Sequence, residues 1–220
     1  MDNELKKSVL QSGTSLVGIV CKDGVVMAGD RRSTAGTIVM NKNKQKVVMI
    51  NDYLVLSGTG VASDIEMLQK IVRAELRLKE LKSKFRPSVK EAANLIATIA
   101  YRNIRQFSTI AFVAGTMVGG FNEDGSAELY TVEPAGSAVQ VEDFDANFSS
   151  GMPYILGLLE RQYKKDISVT DAIDLAVEAL KASTQRDIAS GNGFDVMTIT
   201  SKGIKHVVEQ IITPEYKNQK

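Results

Sequence analysis

Apolar and polar positions alternate in blocks along this chain, and the period of the alternation changes several times. After a polar, charged stretch over residues 1–12, apolar residues dominate 15–21 and 25–30 on either side of Lys22-Asp23-Gly24. An Asp-Gly pair between two such runs predicts a tight hairpin. A second pair of strands is expected at 46–50 and 53–57 around Asn51-Asp52. The period then lengthens: Ile65, Leu68, Val72, Leu76 and Leu81 recur at helical spacing through 62–82, with Ser63 as the expected N-cap. A second helix begins at Ser88, where Glu91 completes a capping box, and its apolar face runs from Val89 through Ala92, Ala93, Leu95, Ile96 and Ile99 to Ile104. Strands are expected again at 110–121, 127–132 and 137–141, helices at 152–163 and 170–186, and a closing hairpin at 194–200 and 204–209.

This order is strands, two helices, strands, two helices, hairpin. Hairpin turns dominate and βαβ alternation is absent, so the reading is one α+β domain with mostly antiparallel sheets and helices in separate layers. Nothing reads as a linker or a repeat. With 27 basic against 26 acidic residues the net charge is +1, which draws neither nucleic acid nor a membrane surface. No segment reaches the roughly 18 apolar residues of a membrane span, and 1–12 lacks the apolar core of a secretory signal. A soluble, cytoplasmic protein is expected. The lone Cys21 sits in an apolar strand and reads as a small buried hydrophobe. A single histidine, His206, argues against a histidine metal site and against Ser-His-Asp or Cys-His chemistry, and it reads as structural.

Four places carry candidate chemistry. Gly13-Thr14, at the edge of the first strand, is either a hinge or a cleavage point that would leave Thr14 with a hydroxyl and a free amine on one residue. An adjacent amine is a known base for such a weak nucleophile. Gly58-Thr59-Gly60-Val61-Ala62-Ser63 falls short of a dinucleotide fingerprint, lacking its third glycine and a parallel βαβ unit. Placed between a strand and a helix, it still offers unpaired N–H groups suited to a developing negative charge. Asp30 and Lys46, taken as a bare pair, read as an exposed salt bridge of little worth. The stretch from Gln185 to Asp195 is a helix end unwinding through glycines, and it also sets Asp187 and Ser190 on one tight turn. Ser149-Ser150-Gly151 alone reads as an N-cap.

Taken in order, Thr14-Ser15-Leu16-Val17-Gly18-Ile19, Ala28-Gly29-Asp30-Arg31-Arg32-Ser33-Thr34, Lys46, Ser57-Gly58-Thr59-Gly60, Ser150-Gly151 and Arg186 to Gly193 follow one pattern. The chain resembles a β subunit of the 20S proteasome, most like the archaeal type. The resemblance spans Gly13 to about Val208, and each motif is weak where the ordered set is specific. It implies the four-layer αββα sandwich of N-terminal nucleophile hydrolases, with residues 1–13 as a propeptide and 14–220 as the single domain. It implies a threonine endopeptidase made as an inactive precursor, with Thr14 freed by autocleavage of Gly13-Thr14. Lys46 would favour loss of the Thr14 hydroxyl proton, Asp30 would fix Lys46, and the Gly60 N–H would serve the oxyanion. Ser150, Asp187 and Ser190 would orient the Thr14 amine. Ser33, Thr34, Gly58, Gly60 and Ala62 match substrate-binding positions, Thr34 and Ala62 through backbone pairing and Gly58 at the depth of an open specificity pocket.

No metal or cofactor is implied. The partners implied are α subunits, other β subunits in heptameric rings of a 28-subunit barrel, a regulatory AAA+ ATPase acting through the α ring, and unfolded polypeptide as substrate. Ser15 and Leu16 depart from the further threonines frequent in archaeal relatives. The interval from Gly60 to Ser150 is longer than the family's, with the surplus assigned to 101–117. The alternatives are a catalytically silent or partner-dependent β subunit that only builds the ring, and a small-molecule amidase of the same chemistry, which lacks the Arg186–Gly193 motif.

Overall fold

The computed structural model of the chain describes residues 11–213; the polar leader up to residue 10 and the last residues, 214–220, lie outside the described residues. Among the described residues, thirteen strands and four helices follow one another. The first half comprises β1 (Gln11–Ser12), β2 (Leu16–Cys21), β3 (Gly24–Asp30), β4 (Ser33–Ala35), β5 (Ile38–Asn41), β6 (Val47–Met49), β7 (Leu54–Val61), α1 (Ala62–Ser83) and α2 (Val89–Ile104). The second comprises β8 (Ala114–Phe121), β9 (Ala127–Val132), β10 (Ala138–Val141), β11 (Phe144–Asp145), α3 (Met152–Gln162), α4 (Val169–Thr184), β12 (Gly193–Thr200) and β13 (Gly203–Ile211).

Two antiparallel sheets carry the architecture. One runs β1-β7-β8-β9-β10 with β6 also on β7; the other runs β11-β2-β3-β12-β13. Strands β2 and β3 of the second sheet read as nearly continuous apolar runs because both of their faces are covered. Val17, Ile19, Val26 and Ala28 point to α3 and α4, among Ile155, Leu159, Ala176 and Leu180. Their neighbours Leu16, Val25 and Met27 point the other way, onto Val55, Met117 and Leu129 of the first sheet. On the first sheet Leu54, Leu56 and Val118 turn outward to Leu68, Val72, Leu76 and Ile96 of α1 and α2. Period-two alternation thus deals side chains into three stacked cores, and the result is the expected α+β sandwich in αββα order.

The predicted elements are found with shifted ends. The capping box on α2 forms with both of its hydrogen bonds. Ser63 does not cap α1: β7 runs straight into the helix, extended Val61 is the N-cap without a side-chain bond, and its N–H goes to the Val113 carbonyl. The Gly58-Thr59-Gly60 segment is strand, pairing with β8, rather than a turn between strand and helix. The strand expected from residue 110 starts only at Ala114, because Asp64 in the first turn of α1 takes the Val113 N–H and draws that segment to the helix end. Strands β1, β4, β5 and β11, two to four residues each, were too short to show a period. Cys21 is buried as expected, and burial, with Asp23 nearby, pushes its thiol up to about 12. His206 sits on β13 with Nε2 2.9 Å from Asp195 Oδ1, within the ion-pair cluster of buried Arg31. No described helix is long and apolar enough to cross a membrane.

Leu129 is fully buried between the sheets. Leu129→Ala is expected to lower unfolding free energy by about 2–5 kcal/mol, read as a drop in the urea midpoint at unchanged slope.

Candidate active site

Strand β3 ends on Asp30, whose side chain has no exposure to solvent. An unpaired carboxylate there would be prohibitively costly, and each of its oxygens accepts two hydrogen bonds. Oδ1 takes the Ser15 N–H at 2.9 Å and Lys46 Nζ at 2.7 Å; Oδ2 takes the N–H groups of Arg32 and Gly191, each at 2.9 Å. The Asp30–Lys46 pair is therefore buried, not the exposed bridge that two charges sixteen residues apart suggest in isolation. Burial pushes the Lys46 ammonium below its ordinary pKa, while the Asp30 charge and hydrogen bond push back.

Thr14 precedes β2 and is almost wholly buried. Its backbone nitrogen donates to Ser150 Oγ at 2.9 Å, and its carbonyl accepts the Gly151 N–H at 3.1 Å. Ser150, just ahead of α3, is not that helix's cap; its hydroxyl lies 2.7 Å from Asp187 Oδ2. Ser190 donates to the same oxygen at 2.5 Å, and the Ala189 N–H meets the other at 3.1 Å. The turn after α4 thus does hold a carboxylate and a hydroxyl together, as read from the sequence, and its carboxylate reaches Ser150, which accepts the Thr14 N–H.

Residues 11–13 lie in the groove beside these groups. Gln11 and Ser12 pair antiparallel with Val61 and Gly60 of β7, extending the sheet by one short strand. The Gly13 N–H reaches Thr34 Oγ1 at 3.4 Å, and the Gly13 carbonyl accepts from Lys46 Nζ at 3.1 Å. A Cβ on Gly13 would fall 1.9 Å from the Ala189 Cβ, so glycine alone fits this path. Gly60 has φ +121°, and a Cβ there would meet the Val113 carbonyl oxygen at 2.3 Å. Against Thr14 opens a pocket of about 250 Å³ lined by Ser33, Lys46, Gly58, Gly60 and Ala62, with Ile65 on α1. A Cβ on Gly58 would stand 2.8 Å from the Ile65 Cγ2, so glycine lets Ile65 pack against that strand.

Thr14, Asp30, Lys46, Ser150, Asp187 and Ser190 are thus linked by short contacts, with Gly60 on the same pocket. Thr34 meets the leader rather than lining the pocket. The sequence reading missed three contributors: the Arg32 and Gly191 N–H groups, and Ser15, which it noted only as a departure. Backbone donors carry no residue-type signal; Gly191 with φ +146° was visible only as one glycine among several.

The sequence profile of the proteasome subunit family matches residues 10–199. The chain belongs to this family. It is 38% identical over 192 residues to the proteasome subunit beta of Nanoarchaeum equitans, covering 87% of this chain and 95% of that one. It is 36% identical over 202 residues to the corresponding subunit of Methanopyrus kandleri, covering 91% and 94%. Proteasome subunit beta 1 of Thermococcus kodakarensis is 38% identical over 198 residues, covering 90% and 94%.

Asp30→Ala leaves the Lys46 ammonium buried without its counter-charge and is expected to cost about 3–5 kcal/mol. Asp30→Ala with Lys46→Met removes both charges and is expected to recover much of that loss. Urea unfolding of the three chains side by side checks the order.

Proposed function

We propose that the chain is a proteolytic β subunit of the 20S proteasome, made as an inactive precursor that cuts itself between Gly13 and Thr14. One observation carries this reading. Lys46 Nζ bridges the Asp30 carboxylate and the Gly13 carbonyl, while the nitrogen of the same peptide bond is seated on Ser150.

The first reaction is internal. The Thr14 hydroxyl adds to the Gly13 carbonyl carbon, and the Lys46 ammonium hydrogen-bonds the oxygen on which charge grows. Collapse breaks the Gly13–Thr14 C–N bond, the nitrogen takes up the hydroxyl proton, and the leader is left as an ester on Thr14. Water hydrolyses that ester, releasing the leader acid and regenerating the hydroxyl. The bond's nitrogen is now a primary amine, which titrates near pH 8 and can serve as base.

The second reaction acts on peptide substrates. The neutral amine, held by Ser150 and Asp187, accepts the hydroxyl proton as Thr14 attacks the substrate carbonyl, and the Gly60 N–H is the donor for the oxyanion. The proton passes to the leaving amine, an acyl ester remains on Thr14, and water completes hydrolysis. An extended substrate occupies the groove that the leader fills, pairing with β7 as an added strand, its side chain entering the pocket along Gly58 and Ala62. The partners are those of such a particle: α subunits, other β subunits, a regulatory ATPase and unfolded polypeptide. Cytoplasmic residence goes with this role.

On co-assembly with α subunits, the β chain is expected to lose the mass of residues 1–13, and Thr14→Ala to keep it; intact-mass measurement of completed particles decides. A wild-type chain that retains its leader in complete particles favours the silent or partner-dependent subunit instead. Gly13→Ala, which drives a methyl group into Ala189, is expected to slow leader removal at least roughly tenfold, since small displacements of reacting groups carry costs of that size. The same mass measurement over time follows it.

A further inference from the structure

Ser15 follows the nucleophile directly, and its side chain has no exposure to solvent. Its hydroxyl lies 2.6 Å from Ser183 Oγ on the last turn of α4 and 2.8 Å from Ser190 Oγ. The direction of each bond follows by counting protons. An ionised carboxylate only accepts, so Ser190 spends its single proton on Asp187. Ser190 then has only lone pairs left, so the Ser15 proton goes to Ser190. Ser15 in turn has only lone pairs for Ser183, so Ser183 is the donor between them. The protons run one way, from Ser183 through Ser15 and Ser190 to Asp187, while Ser150 joins the same carboxylate oxygen from the other side and receives the Thr14 N–H.

Two further observations show that this chain of hydroxyls is built into the fold. A Cβ on Gly151 would stand 2.1 Å from Ser15 Oγ and 2.2 Å from Ser183 Oγ, so the pair fits only against bare backbone. The Ser183 carbonyl also accepts the Asp187 N–H at 2.8 Å. Ser183 therefore reaches the carboxylate from both ends, through its backbone and through its hydroxyl.

We propose that Ser183 is a positioning residue for the Thr14 amine, acting through the Ser15 and Ser190 hydroxyls on Asp187. The proposal rests on the proteolytic reading above. Each donor in such a chain polarises the next, so the Ser183 proton strengthens the hydrogen bond that Ser190 makes to Asp187. A carboxylate so held disperses part of its charge and grips a nearby ammonium less tightly. The Thr14 amine then gives up its proton more readily and is available as base. The charged groups that act on neighbouring Lys46 are Asp30, Asp187 and Arg32, and neither Asp30, Arg32 nor Lys46 is bonded to the Ser183 or Ser15 side-chain oxygens among the described contacts.

The experiment uses completed particles carrying Ser183→Ala, Ser15→Ala or both, with intact mass, kcat, KM and the pH profile of kcat/KM measured on a fluorogenic peptide. Wild-type particles without peptidase activity would sink the proteolytic reading itself. Given an active wild type, Ser183→Ala is expected to lower kcat roughly three- to tenfold, the range of one lost hydrogen bond. KM should hold within roughly twofold, and the acid limb should move to higher pH. Because Ser183 acts through Ser15, the double change should lose no more than Ser15→Ala alone. The proposal is overturned if Ser183→Ala keeps both kcat and the acid limb of wild type. It is equally overturned if its full loss persists in the Ser15→Ala background, which would make it a packing effect.

Discussion

A carboxylate shut away from water must find its donors inside the protein, and the geometry around Asp30 is the consequence. Its two oxygens take four hydrogen bonds, from Ser15, Arg32, Lys46 and Gly191. These donors belong to the segment ahead of β2, the turn after β3, the segment ahead of β6 and the turn after α4. Losing any of them leaves part of a buried charge unpaired, so all four segments are held in one register. The segment ahead of β2 carries Thr14, and the turn after α4 carries Asp187 and Ser190. One anion therefore sets Thr14, the Lys46 cation beside it and the hydroxyl network opposite.

Residues 11–13 are positioned by the same frame. Their two-residue strand uses the edge of β7 that β6 leaves open, and the last of them lies between the Lys46 ammonium and Ala189. In the proposed function, a substrate strand added to that edge meets the same groups, so occupation by residues 11–13 and readiness for substrate are two states of a single groove. Glycine at 13 and at 60 is a steric requirement in both cases, one against Ala189 and the other against the Val113 carbonyl.

Much of the fold was legible in the sequence because burial on both faces leaves a strong mark. The runs at 15–21 and 25–30 are apolar at successive positions, and the structure divides them between two cores. The capping box at Ser88 is a local device, and it formed as written. The Ser63 cap and the strand from residue 110 failed for one reason: the continuity of β7 into α1 and the reach of Asp64 to Val113 are tertiary facts. The Asp30–Lys46 pair shows the same limit at the site. Spacing alone gave it the value of a surface bridge, and only the covering of both residues by other segments makes it a buried one. Ser15 was readable as a residue type but not as a junction, since its partner Ser183 lies 168 residues away.

In the proposed chemistry, one buried cation, Lys46, serves two successive reactions. Burial alone favours its neutral form, and Asp30 opposes that tendency through charge and a 2.7 Å hydrogen bond. An ammonium has three donors. In the chain with its leader, one is spent on Asp30 and one on the Gly13 carbonyl. In the proposed reaction, cutting the Gly13–Thr14 bond and losing residues 1–13 takes the acceptor from the second donor, in a pocket that also contains Thr14. A buried ammonium cannot leave that donor idle at no cost, so the oxygens nearest to it gain a hydrogen bond that the leader had held. In the proposed reaction those oxygens are the Thr14 hydroxyl and the substrate carbonyl. Under that proposal, the contact that polarises the bond to be cut in the precursor is the one released for use in the mature site.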